Sequence, residues 1–173
     1  MDNQQERLVE LSFVAGVIVG EGCFTLAVNA QDKPRGHVNP IFSFFMTDKD
    51  TVEIVYAILH RHNLPGYFET RRKQPPFREQ YGVRVGGVKS MERFCRELLP
   101  FLTGEKHKAA SVVHRFCERR LLLGRGGPFG PEDIEMIGEL RKINSSGSGG
   151  ERHKFPLDQL PRILRDYTPC PSV

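Results

Sequence analysis

Among the 173 residues, the carboxylate best placed for chemistry is Glu21, set between Gly20 and Gly22. It stands where a helix expected over Gln4 to Val19 runs out. The C-terminal end of a helix is the negative end of its dipole, so an acid there is unfavourable by itself. A cation held nearby accounts for it; the competing reading is an acid that faces solvent. Upstream, Ser12, Gly16 and Gly20 recur at i, i+4 and i+8 and form a stripe of small residues. Glycine inside a helix costs up to about 1 kcal/mol relative to alanine. Close approach of a second backbone offsets that cost. Gly20 can also end the helix as a C-cap. Leu8, Leu11, Ala15 and Ile18 follow the rhythm of a buried face.

Other chemistries find less support. His60 and His62 are two apart, and His107 and His114 seven apart, neither with a zinc spacing and partners. Cys23, Cys95, Cys117 and Cys170 form no CxxC pair, which points to a reducing, intracellular setting over a disulfide scaffold. Gly124-Arg125-Gly126-Gly127 lacks the strand-to-helix context of a phosphate loop. Leu8 to Val28 is interrupted by Glu10 and Glu21 and does not read as a membrane span. Asp2 and Glu6 stand where a signal peptide would be basic.

The net charge of +4 conceals an asymmetry. Residues 1–60 hold 4 basic and 8 acidic residues, 61–125 hold 15 and 6, and 126–173 hold 6 and 7. A segment of net +9 inside a nearly neutral chain suits a polyanion such as nucleic acid, or else a solvated basic surface.

The elements that must position these groups follow from periodicity and punctuation. Strands are expected at Cys23 to Ala30 and Val38 to Met46, then a helix from Asp48 to Arg61. Thr47 to Asp50 resembles a capping box with Thr47 at the N-cap. Two further strands are expected at Tyr67 to Lys73 and Gln80 to Val85. Helices follow at Met91 to Leu99 with Ser90 as cap, Glu105 to Leu122, and Pro131 to Ile143. The order implies an α+β fold: an αββαββα core whose four-stranded antiparallel sheet is covered by helices on one face, plus C-terminal helices. The other face is left free, and a basic sheet of this kind can lie on a DNA duplex. The expected division is one domain over 1–145, a Ser/Gly linker over 146–150, and a tail over 151–173 with one short helix near Leu157 to Arg165.

Val14-Ala15-Gly16-Val17-Ile18-Val19-Gly20-Glu21-Gly22 resembles the defining motif of the LAGLIDADG homing endonucleases. Leu98 to Leu102 followed by Lys106 and Lys108, and Glu135 to Asn144, are similar to later parts of that family, so the resemblance spans roughly residues 5–145. Val19 departs from it, since the family often has an acid there, though not usually the metal ligand.

The resemblance implies a site-specific, metal-dependent endonuclease that cuts double-stranded DNA during intron homing. With one motif per chain it implies a homodimer on a long pseudo-palindromic site. Ser12 and Gly16 would then face the partner helix. Glu21 and the Gly20 carbonyl would hold Mg²⁺ or another divalent cation. Lys106, with Lys108 as competitor, would stand near the attacking water or the phosphate. Asp48 would order water there, or simply cap its helix. Lys33, Arg35, Arg71, Arg72, Lys73, Arg78 and Arg84 are the expected DNA contacts. The alternatives on the same fold are an RNA-intron maturase and a DNA-binding regulator that does not cut. The expected compartment is the cytoplasm of a prokaryote or an organelle carrying such an intron.

Overall fold

The structure is a computed structural model and describes residues 3–29, 36–72, 76, 78–124, 127–145 and 155–165. Its elements are α1 (Asn3–Glu21), β1 (Cys23–Asn29), β2 (His37–Met46), α2 (Lys49–Arg61), β3 (Tyr67–Arg71), β4 (Gln80–Gly86), α3 (Val88–Leu98), α4 (Gly104–Leu123), α5 (Pro131–Ser145) and a short α6 (Leu160–Arg165). Single 3₁₀ turns at Leu99–Phe101 and Leu157–Gln159 precede α4 and α6. The expected α+β order is therefore present.

The four strands form one antiparallel sheet in the order β1-β2-β4-β3. Strand side chains alternate between faces, and here the alternation is sharp. Phe24 and Leu26 of β1, Phe42 and Phe44 of β2, and Val83 and Val85 of β4 are buried under the helices. Phe42 is the pivot of this core. Its ring centroid lies 4.9 Å from that of Phe24 and 4.8 Å from that of Phe94 on α3. Burying a side chain of this size contributes roughly 1.5–3 kcal/mol.

Three expectations change. Leu8 was assigned to the buried face of α1 but is 49% exposed, while Val14 takes a buried place beside Leu11, Ala15 and Ile18. Gly20 does not end α1, which runs on through Glu21, and Gly20 is not among the residues with positive φ. The chain turns at Gly22, whose N–H donates to the Ile18 carbonyl at 2.8 Å. A Cβ at Gly22 would lie 2.6 Å from that carbonyl oxygen and 2.9 Å from the Phe42 ring. The caps also shift by a residue or more. Asp48, not Thr47, caps α2, and Gly87 with φ of 87° opens α3 ahead of Ser90.

Residues 155–165 of the tail are anchored to the core. Leu160 and Leu164 of α6 join the main buried cluster, and Arg141 of α5 donates to the Phe155 carbonyl at 2.8 Å. Further along α5, Asn144 donates to the Phe24 carbonyl at 2.9 Å and fixes the start of β1. Lys33, Arg35, Lys73 and the linker 146–150 lie outside the described residues.

Two outcomes are expected in urea denaturation. Gly22→Ala should cost about 1–3 kcal/mol, because the new methyl meets backbone that cannot yield. Leu160→Ala should cost about 2–5 kcal/mol if α6 completes the core, and under 0.5 kcal/mol would show it to be a loose appendage.

Candidate active site and nucleic-acid interface

The site is built where three element ends meet: the foot of α1, the start of β1 and the first turn of α4. Glu10 holds α1 against α2 by pairing with Arg61 and by a 2.6 Å contact with His62 Nε2. The turn at Gly22 then leaves Glu21 exposed at the helix foot. Among the described residues, no hydrogen-bond or ion-pair partner is found for its carboxylate.

Lys106 reaches this foot from α4. Its Nζ donates to the Gly22 carbonyl at 2.5 Å, across 84 residues of sequence. A cation in the first turn of a helix is unfavourable, just as an anion in the last turn is. Here the Gly22 carbonyl oxygen takes the lysine's charge, and no ion pair between Lys106 and Glu21 is found among the described residues. Lys108 turns away to pair with Glu105 at 3.0 Å. The geometry thus separates two lysines that spacing left as rivals.

Asp48 begins α2 beyond the end of β2. Cys23 pairs with Ser43, five residues before Asp48, so β2 overruns the start of β1 before α2 begins. Asp48 accepts from the Asp50 N–H at 3.2 Å and from the Thr51 hydroxyl at 2.6 Å. The Thr51 bond holds its carboxyl below the usual range despite the opposing effect of desolvation. The capping reading is therefore what this geometry supports.

The oxygen donors at the α1 foot suit a hard divalent cation. The last carbonyls of a helix lack intrahelical partners, which leaves the Gly20 oxygen beside the Glu21 carboxylate. Mg²⁺ accepts such a sparse set because it keeps several waters. Among the described residues no group of three His, Cys, Asp or Glu is placed to hold a metal. Thiol chemistry has no support at Cys95 or Cys117. Burial raises the Cys95 thiol well above its usual value and pushes Cys117 up to about 12.

The uncovered face of the sheet is set by register. Cys23, Thr25, Asn39, Ser43, Gln80 and Arg84 all point away from the helices, since their strand neighbours point in. The sequence reading had emphasised the lysines and arginines alone; the small polar residues between them were legible only as the out-facing half of each alternation. The basic residues are also less free than their count suggested. Arg84 and Arg71 both engage Glu69, at 3.8 and 3.3 Å, and Arg72 lies 3.5 Å from Glu79. Arg78 is exposed in the β3–β4 connection. No helix among the described residues is long and apolar enough to cross a membrane.

Ser12 and Gly16 lie on the exposed side of α1, where Ser12 Oγ donates back to the Leu8 carbonyl at 2.7 Å. A Cβ added at Gly16 or Gly20 would meet nothing within 4 Å. The close neighbour that would offset these glycines is therefore not found among this chain's described residues. Val9 and Phe13, 61% and 43% exposed, lie on the same helix.

Neither a protein-family model nor a curated protein matches the sequence. Solved structures do. The homing endonuclease I-CvuI in complex with its target, in 2 mM Ca, aligns with a TM-score of 0.68 at 16% identity, covering 94% of this chain and 96% of that one. The archaeal intron-encoded homing endonuclease I-Vdi141I, complexed with DNA, aligns at 0.65 and 16% identity with the same coverage. The LAGLIDADG homing endonuclease I-GzeII in complex with its DNA target aligns at 0.58 and 17% identity, covering 92% of this chain but 52% of that one. At such identities the likeness speaks for architecture, and it agrees with the motif at the foot of α1: the chain has the fold of the LAGLIDADG homing endonucleases.

Proposed function

We propose that this protein is a site-specific double-stranded DNA endonuclease that works as a homodimer with a divalent cation. The observation that carries the reading is Glu21, exposed at the foot of α1 and without a partner among the described residues, with Lys106 fastened to the carbonyl of the next residue, Gly22. Support comes from I-CvuI and I-Vdi141I, which share the fold and were solved on DNA. This chain spans 96% of I-CvuI but about half of I-GzeII, as expected if one unit of this size acts beside a second.

Hydrolysis adds water across a P–O bond and leaves a phosphate monoester and an alcohol. The chain's residues divide the work by position. Glu21 and the Gly20 carbonyl offer oxygen ligands toward the scissile phosphate. A divalent cation bound there supplies charge neutralisation and a more acidic attacking water. Lys106, one N–H spent on Gly22, keeps two for a phosphate oxygen or a water. Asp48 can order water. Arg71, Arg72, Arg78 and Arg84 contact the duplex, and Lys33, Arg35 and Lys73, outside the described residues, are further proposed contacts.

A single chain presents one such carboxylate, and cutting two strands takes two. The exposed small-residue side of α1, flanked by Val9 and Phe13, is the surface assigned to the second copy. Packing these helices side by side would bring both Glu21 carboxylates to one duplex.

Two experiments test the reading. In selection of cleaved sites from a randomised duplex library with Mg²⁺, the wild-type chain should cut a defined subset. Glu21→Gln should bind the same duplexes and cut them at least about a hundredfold more slowly. Cleavage that survives the substitution rules out the ligand role, and wild-type binding without cleavage moves the assignment to a non-cutting regulator. By sedimentation, the wild-type chain should be a dimer at micromolar concentration or on DNA. Gly16→Leu should keep the fold, since its Cβ has open space, yet shift the chain to monomer.

A further inference from the structure

Phe45, Gly82 and Glu69 lie in one row across three strands, because Phe45 pairs with Gly82 on β4 and Glu69 pairs with the same glycine from β3. The row is on the uncovered face, one residue out of phase with buried Phe44 and Val83. A side chain at Gly82 is excluded: its Cβ would lie 2.1 Å from the Phe44 carbonyl oxygen and 2.6 Å from the Phe45 ring. The missing side chain lets the ring lie across β4. Arg71, two residues past Glu69 and on the same face, stacks on that ring with its guanidinium carbon 3.4 Å from the centroid. Its Nε–H donates to Glu69 at 3.3 Å. Glu69 also pairs with Arg84 at 3.8 Å from the other side.

An exposed arginine ordinarily keeps its rotamer freedom and spends it against solvent. Arg71 is instead fixed in plane by a ring and in rotation by a carboxylate. The two terminal nitrogens of its guanidinium make no hydrogen bond to the described residues. That edge is the one that pairs bidentately with O6 and N7 of guanine in the major groove. Glu69 has a second effect: shared between two arginines, it lowers the local positive charge and so weakens attachment to phosphates of any sequence.

We propose that Phe45 and Glu69, with Gly82 making room, are positioning residues that preset Arg71 to read one guanine per half-site. The inference rests on the proposed duplex-binding reading and goes beyond it in naming a specificity device. It is tested by sequencing the duplexes that the wild-type chain and its variants retain from a randomised library at fixed salt. Arg71→Gln should reduce preference for guanine at one position of each half-site by about fivefold or more. Phe45→Leu keeps an apolar group without a π face and should reduce it about two- to fivefold at that same position only. Phe45→Tyr should restore it. Glu69→Gln should raise total retention, steepen the salt dependence and flatten that preference. A Phe45→Leu profile equal to wild type, or weakened evenly at every position, would overturn the proposal while leaving duplex binding intact. A wild-type chain that enriches no duplex would overturn both readings.

Discussion

The junction at Gly22 is the constraint on which the rest of the structure depends. A 19-residue helix must stop, reverse into a strand and leave a carboxylate outside, all within one residue. The space between the Ile18 carbonyl and the Phe42 ring admits no side chain there. The same residue's carbonyl receives Lys106, so the turn that starts β1 also docks the first turn of α4. Backbone sterics, core packing against Phe42 and the electrostatics of two helix ends therefore converge on one glycine. A change there would reach the sheet, the second long helix and Glu21 together.

The two charges at this junction are each poorly placed in isolation. Glu21 sits at the negative end of α1 and Lys106 at the positive end of α4. Lys106 Nζ is held on the carbonyl of Gly22, the residue after Glu21, while the Glu21 carboxylate has no partner among the described residues. The uncovered sheet follows a related logic. Its arginines are partly neutralised by Glu69 and Glu79, so the face is not simply a basic patch.

Much of this was legible in the chain. The αββαββα order and the position of Glu21 at a helix end rest on local periodicity and punctuation, which short-range sterics enforce. The motif from Val14 to Gly22 supplied the fold. What escaped was less local. Leu8 fits the helical rhythm, yet it is half exposed because the core ends one turn above it. Thr47 and Asp48 both suit an N-cap, and only the path of β2 into α2 decides between them. Glu69 reads as one acid in a basic run; its sharing between Arg71 and Arg84 needs the β3–β4 register.

The sequence alone determined which residues could do chemistry: one acid between glycines, a choice of two lysines, and a basic segment facing an unknown partner. These are matters of residue type and spacing along a helix or strand, and they need no third dimension. The tertiary structure decided which lysine reaches the foot of α1, which glycine makes the turn, and which arginine is held by a ring two strands away. Those decisions rest on contacts of Gly22 with Phe42, Arg71 with Phe45 and Lys106 with Gly22, separated by between 20 and 84 positions, and only the packed sheet and helices bring them within a few ångströms.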